Sequence, residues 1–257
     1  MPRGVNMYDE GRIQQRNFAA SDNIQIISPG VVTDGLVLHL DAGNYASYPA
    51  SGTIWRDLSS RRNNGTLTNG PTFNANNGGA IVFDGSNDNV TTGSYNYGDT
   101  FTISAFLYPL YKFDISNICA NSNTGGATNG FRLLINDFQT DNQNLRFQYG
   151  NGTNFDTIAD PGRIVWSAWQ HVTFVVDKNA VICQIYYNGE LTVSSALSFT
   201  NFNTNAQIFI GTYANLVSSG GAFNYYGRIP FFLIYNRALS PQEVAQNFNA
   251  TRTRFGI

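Results

Sequence analysis

The stretch W-Q-H-V-T-F-V-V-D-K-N-A-V-I-C-Q-I-Y-Y-N-G-E-L-T-V-S, residues 169–194, decides the fold class of this 257-residue chain. Valine, isoleucine, phenylalanine and tyrosine dominate it, and these residue types favour β-strands. The pair Lys178-Asn179 marks one turn, and Asn188-Gly189 is the strongest short signal for a two-residue hairpin. The stretch therefore predicts three consecutive antiparallel strands.

Short strand signals continue on both sides of this stretch, separated by turn residues. In residues 100–108, Phe101, Ile103, Ala105 and Leu107 fall on one face, because side chains alternate along a strand. Further signals lie at 36–40, 80–83, 131–135, 145–149, 206–212 and 227–235. About a dozen short β segments without intervening helices predict an all-β protein, an antiparallel two-sheet sandwich of the jelly-roll kind.

One short helix is predicted near the C-terminus. Ser240 is a favourable N-cap, Pro241 suits the first helical position, and Glu243 completes a capping box. Leu239 and Val244 have the spacing of a hydrophobic staple across this cap. Val244 and the residue four positions later, Phe248, are expected to face the sheet.

The composition excludes several classes of protein. Charged side chains make up 12% of the chain, which has two lysines, three glutamates and a formal net charge of −2. Good helix formers are scarce, so a largely helical protein is excluded, and so is nucleic-acid binding that depends on net charge. No segment approaches the roughly 18 consecutive apolar residues of a membrane span, and the N-terminus lacks the apolar run of a secretory signal. We expect neither nucleic acid nor a membrane as a partner.

The N-terminal part differs from the remainder of the chain. Residues 1–32 carry Arg3, Arg12 and Arg16 but no sustained hydrophobic period. We interpret them as an extended arm that anchors the protein in an assembly, with residues 33–257 forming the folded domain. The three arginines are the candidates for contacts with acidic neighbours, and solvated surface charge is the alternative.

Four stretches resemble a known family. They are G-L-V-L-H-L-D-A-G-N (35–44), F-D-G-S-N-D-N-V (83–90), W-Q-H-V-T-F-V-V-D with Y-N-G-E-L (169–191), and I-G-T with G-R-I-P-F-F-L-I-Y-N-R-A-L-S-P-Q-E-V (210–244). Their order and spacing are similar to those of the concanavalin A-like lectin/glucanase superfamily, in its laminin-G-like branch. The resemblance implies a jelly-roll sandwich, in agreement with the strand signals.

The two ends of the domain resemble a particular variety of this module. V-T-D-G-L-V-L-H-L-D-A-G-N (32–44) and Y-N-R-A-L-S-P-Q-E-V-A-Q-N-F-N-A-T-R-T-R-F (235–255) are similar to domains of tailed-bacteriophage structural proteins. The resemblance implies a tail, fibre, neck or capsid-decoration protein of the virion, assembled in the host cytoplasm. It also implies other virion structural proteins as partners, a homo-oligomer, and host-surface glycans as ligands. A free-standing carbohydrate-binding lectin is the alternative.

Catalysis is not expected. Glycosidases need two carboxyl groups flanking the scissile bond, but the three glutamates, Glu10, Glu190 and Glu243, are scattered along the chain. His39 and His171 lie within predicted strands and lack a serine or cysteine motif that would identify a nucleophile. A glycoside hydrolase is therefore the least favoured function.

No cofactor is required by this sequence, and calcium is the one metal that its residues suggest. D-G-S-N-D-N, residues 84–89, places the carboxylates of Asp84 and Asp88 within one turn, and hard oxygen ligands are what calcium prefers. The same residues form Asx-stabilised turns without any metal. We favour the metal-free interpretation. Two buried thiols are likewise favoured over a disulfide between Cys119 and Cys183.

Aromatic residues in two predicted loops are the candidates for contacts with a sugar or another subunit. They are Tyr95, Tyr97, Tyr213, Phe223, Tyr225 and Tyr226. Aromatic side chains line ligand sites and are also enriched at protein–protein interfaces. The sequence leaves these two roles open.

Overall fold

The computed structural model describes residues 30–122, 129–213 and 223–257. Arg3, Arg12 and Arg16 of the predicted arm lie outside the described residues. The strands are β1 (Leu36–Asp41), β2 (Ile54–Trp55), β3 (Gly65–Thr68), β4 (Thr72–Asn74), β5 (Ala80–Asp84), β6 (Asn89–Asn96), β7 (Thr100–Pro109), β8 (Ser116–Ala120), β9 (Gly130–Ile135), β10 (Leu145–Gly150), β11 (Phe155–Asp160), β12 (Gln170–Asp177), β13 (Ile182–Tyr187), β14 (Glu190–Ala196), β15 (Asn205–Ile210) and β16 (Tyr226–Tyr235). Helix α1 spans Pro241–Thr251, and two short 3₁₀ helices span Asn76–Gly78 and Arg252–Phe255.

The first sheet has the strand order β14-β13-β12-β7-β16-β5-β4. Its long strand β16 pairs with β7 along one side. Along its other side, Tyr226–Ile229 pairs with β5, and Phe231–Tyr235 pairs with β1. All of these pairings are antiparallel.

The second sheet has the order β11-β10-β9-β8-β15-β6-β3-β2 and is also antiparallel. The two sheets stack, and large side chains from both fill the space between them. The fully buried members of this core include Trp55, Phe101, Phe131, Phe147 and Phe174. The predicted all-β, two-sheet architecture with one short C-terminal helix is confirmed, and it has the form of a jelly roll.

A second hydrophobic cluster lies between the outer face of the first sheet and the C-terminal helices. The ring of Phe106 stacks on Phe255 with centroids 4.3 Å apart and on Phe248 at 6.3 Å. Val244 is fully buried in the same cluster. Helix α1 therefore covers the first sheet with the face that its sequence predicts.

The local signals for the helix start and the hairpin are both confirmed. Ser240 Oγ accepts a hydrogen bond from the Glu243 N–H, and the Glu243 carboxylate accepts one from the Ser240 N–H. The hairpin between β13 and β14 turns at Asn188 and Gly189, whose φ angles are 50° and 83°. Two consecutive positive φ angles are what a two-residue turn of this kind requires.

The described chain begins against helix α1. The N–H of Val32 donates to Asn247 Oδ1 at 2.8 Å, and the Val32 carbonyl accepts from the Tyr235 hydroxyl at 2.9 Å. Gln246 donates to the carbonyl of Gly30. The division between an arm of residues 1–32 and a domain of residues 33–257 stays a prediction, but Gly30 and Val32 already contact the body of the domain.

Cys119 and Cys183 are both buried and are not joined by a disulfide, as the sequence favours. Burial raises the pKa of both thiols. Within residues 30–122, 129–213 and 223–257, no helix has the length and apolar character needed to cross a membrane.

Candidate functional site

The predicted aromatic candidates do not come together at one surface. Tyr97 and Tyr225 are fully buried. Tyr97 accepts a hydrogen bond from Asn121 and packs edge-on against Phe101, while Tyr225 packs edge-on against Phe83. A ring inside the core has no face available for a sugar, so neither tyrosine forms the platform that the loop composition predicts.

The other four candidates have different environments. Tyr213 is buried beneath the guanidinium of Arg132, whose central carbon lies 5.3 Å from the ring centroid. Phe223 is half-buried, and Tyr226 is exposed at the start of β16. Tyr95 lies in β6, where its backbone pairs with Ala206.

The two predicted calcium ligands support a turn through hydrogen bonds. Asp84 Oδ1 accepts from the N–H groups of Ser86 and Asn87, and Asp88 Oδ2 accepts from the N–H of Asp84. Burial raises the pKa of Asp88 to about 6. These are the bonds of an Asx-stabilised turn, and in the part of the chain that the structure describes no group of three or more histidine, cysteine or acidic side chains is placed to hold a metal.

An ammonium group already lies beside this turn. Lys112 Nζ donates to the carbonyl of Gly85 at 3.3 Å and also to the carbonyl of Asn224. Burial lowers the pKa of Lys112 to about 8, and the nearby carboxylates of Asp114 and Asp84 oppose this shift. Lys112 thus places a positively charged side chain beside the turn at Asp84–Asp88.

The residues considered for catalysis lie in different environments. Glu190 is exposed on β14, whereas the carboxylate of Glu243 is held by Arg237 at 2.6 Å, which lowers its pKa to about 2. His171 is buried within β12 and shares a hydrogen bond with Ser104. No pair of carboxyl groups arranged for glycoside hydrolysis is found among these residues, and Glu10 lies outside the described residues.

The second sheet carries a group of polar side chains that the sequence signals did not single out, of which Asn117, Arg132 and Gln148 are buried and the others are half-buried. Along β8–β11, alternate side chains point into the core and the others point away from it. Arg132, Gln148 and Thr157 are directly opposite one another across β9, β10 and β11. In the next row, Asn117 and Arg146 flank Leu134. We call the outward-facing residues Asn117, Arg132, Arg146, Gln148 and Thr157 the polar face.

Hydrogen bonds link the members of the polar face. Arg132 donates to Gln148 Oε1, and Gln148 Nε2 donates to Thr157 Oγ1 at 3.3 Å. Arg146 donates to Thr157 Oγ1 and pairs with Asp137 at 2.7 Å. The network holds the side chains of Arg132, Arg146, Gln148 and Thr157 in place before any ligand arrives, and such pre-organisation favours binding.

Two atoms of the polar face are buried without a hydrogen-bond partner among the described residues. They are the acceptor Asn117 Oδ1 and the donor Arg146 Nε. Buried polar atoms are nearly always paired in native proteins, because leaving one unpaired costs about 1–3 kcal/mol. The polar face thus contains one donor and one acceptor whose hydrogen bonding is incomplete.

Exposed aromatic rings flank the polar face at both ends. Phe155, at the start of β11, is 55% exposed and lies opposite Gly150. Phe138, in the loop after β9, is 58% exposed and packs edge-on against Phe223 with centroids 5.9 Å apart. Of the predicted candidates, Phe223 therefore borders this face, and Tyr213 contacts it through Arg132.

Two arginines within apolar strand segments were a sequence signal for the polar face, but the strand pattern of these segments drew attention to their apolar residues instead. F-R-L-L-I (131–135) and L-R-F-Q-Y (145–149) are apolar strands, each interrupted by an arginine, and glutamine interrupts the second again. A charged residue in a buried strand requires a partner. The sequence around Asn117 gave no comparable signal, because the residues that contact Asn117 lie far from it in sequence.

The comparisons with known proteins agree with this architecture. A family model described as the concanavalin A-like lectin/glucanases superfamily matches residues 84–245. No curated protein sequence matches the chain.

Several solved structures share the fold. The receptor-binding domain of botulinum neurotoxin type G has a TM-score of 0.62 and 18% identity, covering 84% of this chain and 51% of that one. The serotype D binding domain has a TM-score of 0.65 and 15% identity, with 84% and 52% covered. The present chain thus spans about half the length of these neurotoxin domains. Domain 4 of a GH43 extracellular arabinanase from Geobacillus stearothermophilus, in complex with arabinotriose, has a TM-score of 0.63 and 17% identity, with 84% of this chain and 99% of that one covered.

Proposed function

Because the chain belongs to the concanavalin A-like lectin/glucanases superfamily, we propose that it is a non-enzymatic, lectin-like domain that binds a glycan on the polar face. The observation that carries this proposal is the pair of buried, unpaired atoms, Asn117 Oδ1 and Arg146 Nε. A sugar hydroxyl both donates and accepts hydrogen bonds, so a glycan offers partners for a donor and for an acceptor alike.

The surroundings of these two atoms support the same ligand. Sugars present polar edges and weakly polar ring faces, and ligand sites combine a few fixed polar groups with aromatic surface. The polar face supplies the former, and Phe155 and Phe138 supply exposed rings at its two ends. The fold neighbours support it as well, since one is a receptor-binding domain and another is in complex with arabinotriose.

A binding assay with matched variants tests the proposal. The full-length protein is applied to an array of immobilised oligosaccharides, and the affinity for each hit is measured by calorimetry. We expect Phe138→Ala and Phe155→Ala each to weaken binding about tenfold, because each variant removes an aromatic ring that packs on the sugar. Tyr45→Ala is the control, because Tyr45 is 80% exposed in the loop between β1 and β2.

Two results would contradict a glycan site on this face. One is the absence of binding to any oligosaccharide on the array. The other is binding that Tyr45→Ala weakens as much as Phe138→Ala and Phe155→Ala do. The second result would keep the lectin function and move its site elsewhere.

We further propose that this domain is an adhesion part of a bacteriophage virion, in the tail, fibre, neck or capsid decoration. The similarity of residues 32–44 and 235–255 to phage structural domains supports it. In this proposal the N-terminal arm, predicted as residues 1–32, anchors a homo-oligomer to other virion proteins, and the polar face contacts host-surface glycans. A free-standing lectin remains the alternative.

Deleting residues 2–29 separates these two possibilities. The deletion keeps Val32, which is hydrogen-bonded to Asn247, so the sandwich is retained. We expect the shortened protein to be lost from purified particles while its glycan binding persists, as measured by quantitative mass spectrometry and calorimetry. Incorporation of the shortened protein at full occupancy would remove the anchoring role of the N-terminal arm, whereas absence of the full-length protein from purified particles would favour the free-standing lectin.

A further inference from the structure

Arg132 is a buried arginine that has no carboxylate partner among the described residues. Its side chain projects from the middle of β9, and the residue is 5% exposed. By contrast, Arg146 pairs with Asp137, and Arg237 pairs with Glu243. Within the described residues, no ion pair is formed by Arg132. The internal segments 123–128 and 214–222 contain no aspartate or glutamate either.

The contacts that Arg132 does make are with neutral groups. It donates one hydrogen bond to the side-chain oxygen of Gln148, and its guanidinium lies over the ring of Tyr213. A guanidinium has five N–H donors in a planar fork and stays charged in proteins. A single amide oxygen and an aromatic face leave most of that donor capacity unused.

The electrostatic surroundings are also unfavourable for an isolated positive charge. Burial lowers the pKa of Arg132, the nearby Tyr213 partly opposes this, and the positive charge of Arg146 adds to the lowering. Buried charges in native proteins are usually paired, because removing an ion from water is costly. A charge that the fold leaves unpaired is therefore suited to an anion from outside.

The planar shape of the Arg132 guanidinium determines which anion it binds best. A guanidinium fork matches a carboxylate through two parallel hydrogen bonds, which adds orientation to charge attraction. In the same cross-strand row, Gln148 and Thr157 offer hydrogen-bonding groups for hydroxyls next to that carboxylate. Phe155 lies one pair of residues farther along β11 and exposes its ring.

We propose that Arg132 is the subsite that binds the carboxylate of an acidic sugar, such as a uronic or sialic acid. This inference rests on the proposed function of the polar face as a glycan site. It adds the chemical class of the glycan, and it assigns Arg132 as the residue that selects this class over neutral sugars.

Charge-matched probes test the inference on the wild-type protein. Trigalacturonic acid and α2,3-sialyllactose are each compared with their methyl esters, which keep the sugar rings and linkages but lose the charge. Calorimetry should show at least one acid binding tenfold or more tightly than its ester. That advantage should largely persist as salt is raised, because a pair formed by the buried guanidinium of Arg132 is screened much less than an exposed pair.

Variants of Arg132 assign the effect to this residue. Arg132→Gln should remove the preference for acid over ester, and Arg132→Lys, which keeps the charge but lacks the planar fork, should retain only part of it. Arg228→Gln is the matched control, since Arg228 also lies over a tyrosine ring, at 4.9 Å from Tyr108, but on the first sheet. Circular dichroism of each variant shows whether the sandwich is intact.

The outcomes separate this inference from the proposed function. Esters or neutral oligosaccharides that bind as tightly as the acids would overturn the carboxylate subsite and leave the lectin function standing. An acid preference that survives in Arg132→Gln, or is lost equally in Arg228→Gln, would overturn the assignment to Arg132. If no glycan of any kind binds, the proposed function itself fails.

Discussion

The buried side chain of His171 makes the stability of this fold depend on pH. Its ring lies in the second hydrophobic cluster, with its centroid 4.9 Å from that of Phe106 and 5.7 Å from that of Phe248. Its Nε2 shares a 2.7 Å hydrogen bond with Ser104, while Nδ1 is buried without a partner. Burial lowers the pKa of His171 to about 3. The folded protein therefore keeps this histidine neutral in mildly acidic solution.

This predicts a loss of stability on acidification that is specific to His171. Below its unfolded pKa of about 6.5, the unfolded chain binds a proton that the folded chain does not, so the free energy of unfolding falls as pH falls toward 3. Between pH 7.5 and pH 5 this loss is about 2 kcal/mol. Urea denaturation of wild type and His171→Gln at both pH values should show the gap between them narrowing by that amount.

The comparison with the variant is needed because other groups titrate in the same range. His39, whose pKa is lowered by burial, adds to the loss, whereas Asp88, whose pKa is raised to about 6, opposes it. Both contributions cancel in the difference between the two proteins. A gap that stays constant from pH 7.5 to pH 5 would mean that His171 becomes protonated in the folded state.

At the scale of elements, the β13–β14 hairpin and helix α1 depend on each other. Gly189 has a φ of 83°, and a Cβ atom at this position would lie 2.9 Å from Cδ1 of Phe248 in α1. The glycine is thus required twice, once by the turn and once by the packing of the helix against the hairpin. Since Phe248 also stacks on Phe106, moving that ring would disturb the second cluster.

We expect Gly189→Ala to destabilise the protein by about 2 kcal/mol more than Gly152→Ala does, since overpacking adds to backbone strain. Gly152 is the matched control, because its φ is 90° and nothing lies within 4 Å of its Cβ position. Chemical denaturation measures both variants, and Phe248→Ala in the Gly189→Ala background should recover part of the difference. Equal losses at the two glycines would show that the helix moves aside freely.

These two elements were also the most predictable from sequence. The capping box at Ser240 and the Asn188-Gly189 turn are encoded within a few consecutive residues, so their signals do not depend on the rest of the fold. Short strands such as β2 (Ile54–Trp55) and β4 (Thr72–Asn74) gave no clear strand signal, because two or three residues cannot show an alternating pattern. Their strand conformation comes from pairing with β3 and β5.

At the scale of the whole molecule, the polar face is a product of the sheet topology. Asn117 contacts Phe223, more than 100 residues away, through two hydrogen bonds to its carbonyl. Arg132 and Tyr213 also meet although they are far apart in sequence. Loop composition pointed to Tyr97 and Tyr225, which the fold uses as core residues. Which aromatic rings stay exposed is decided by strand register, and a single sequence does not reveal it.

The same topology brings the first described residues against helix α1. Val32 is buried against helix α1, with its N–H bonded to Asn247 and its carbonyl to Tyr235. Asn247 is itself fully buried and donates to the Tyr235 hydroxyl at 3.0 Å. This three-residue network holds Val32 against helix α1 through side-chain hydrogen bonds.

Two deletions and one substitution should locate the start of the domain. Removing residues 2–29 should leave the free energy of unfolding nearly unchanged, whereas removing residues 2–34 should lower it by about 2 kcal/mol, because Val32 and both its hydrogen bonds are lost. Asn247→Ala in the full chain should reproduce much of that loss, with the exposed Asn249→Ala as its control. Thermal and urea denaturation measure all four proteins. If removing residues 2–29 costs as much as removing residues 2–34, the segment before Gly30 is part of the folded domain, and its role as a separate anchoring arm is wrong.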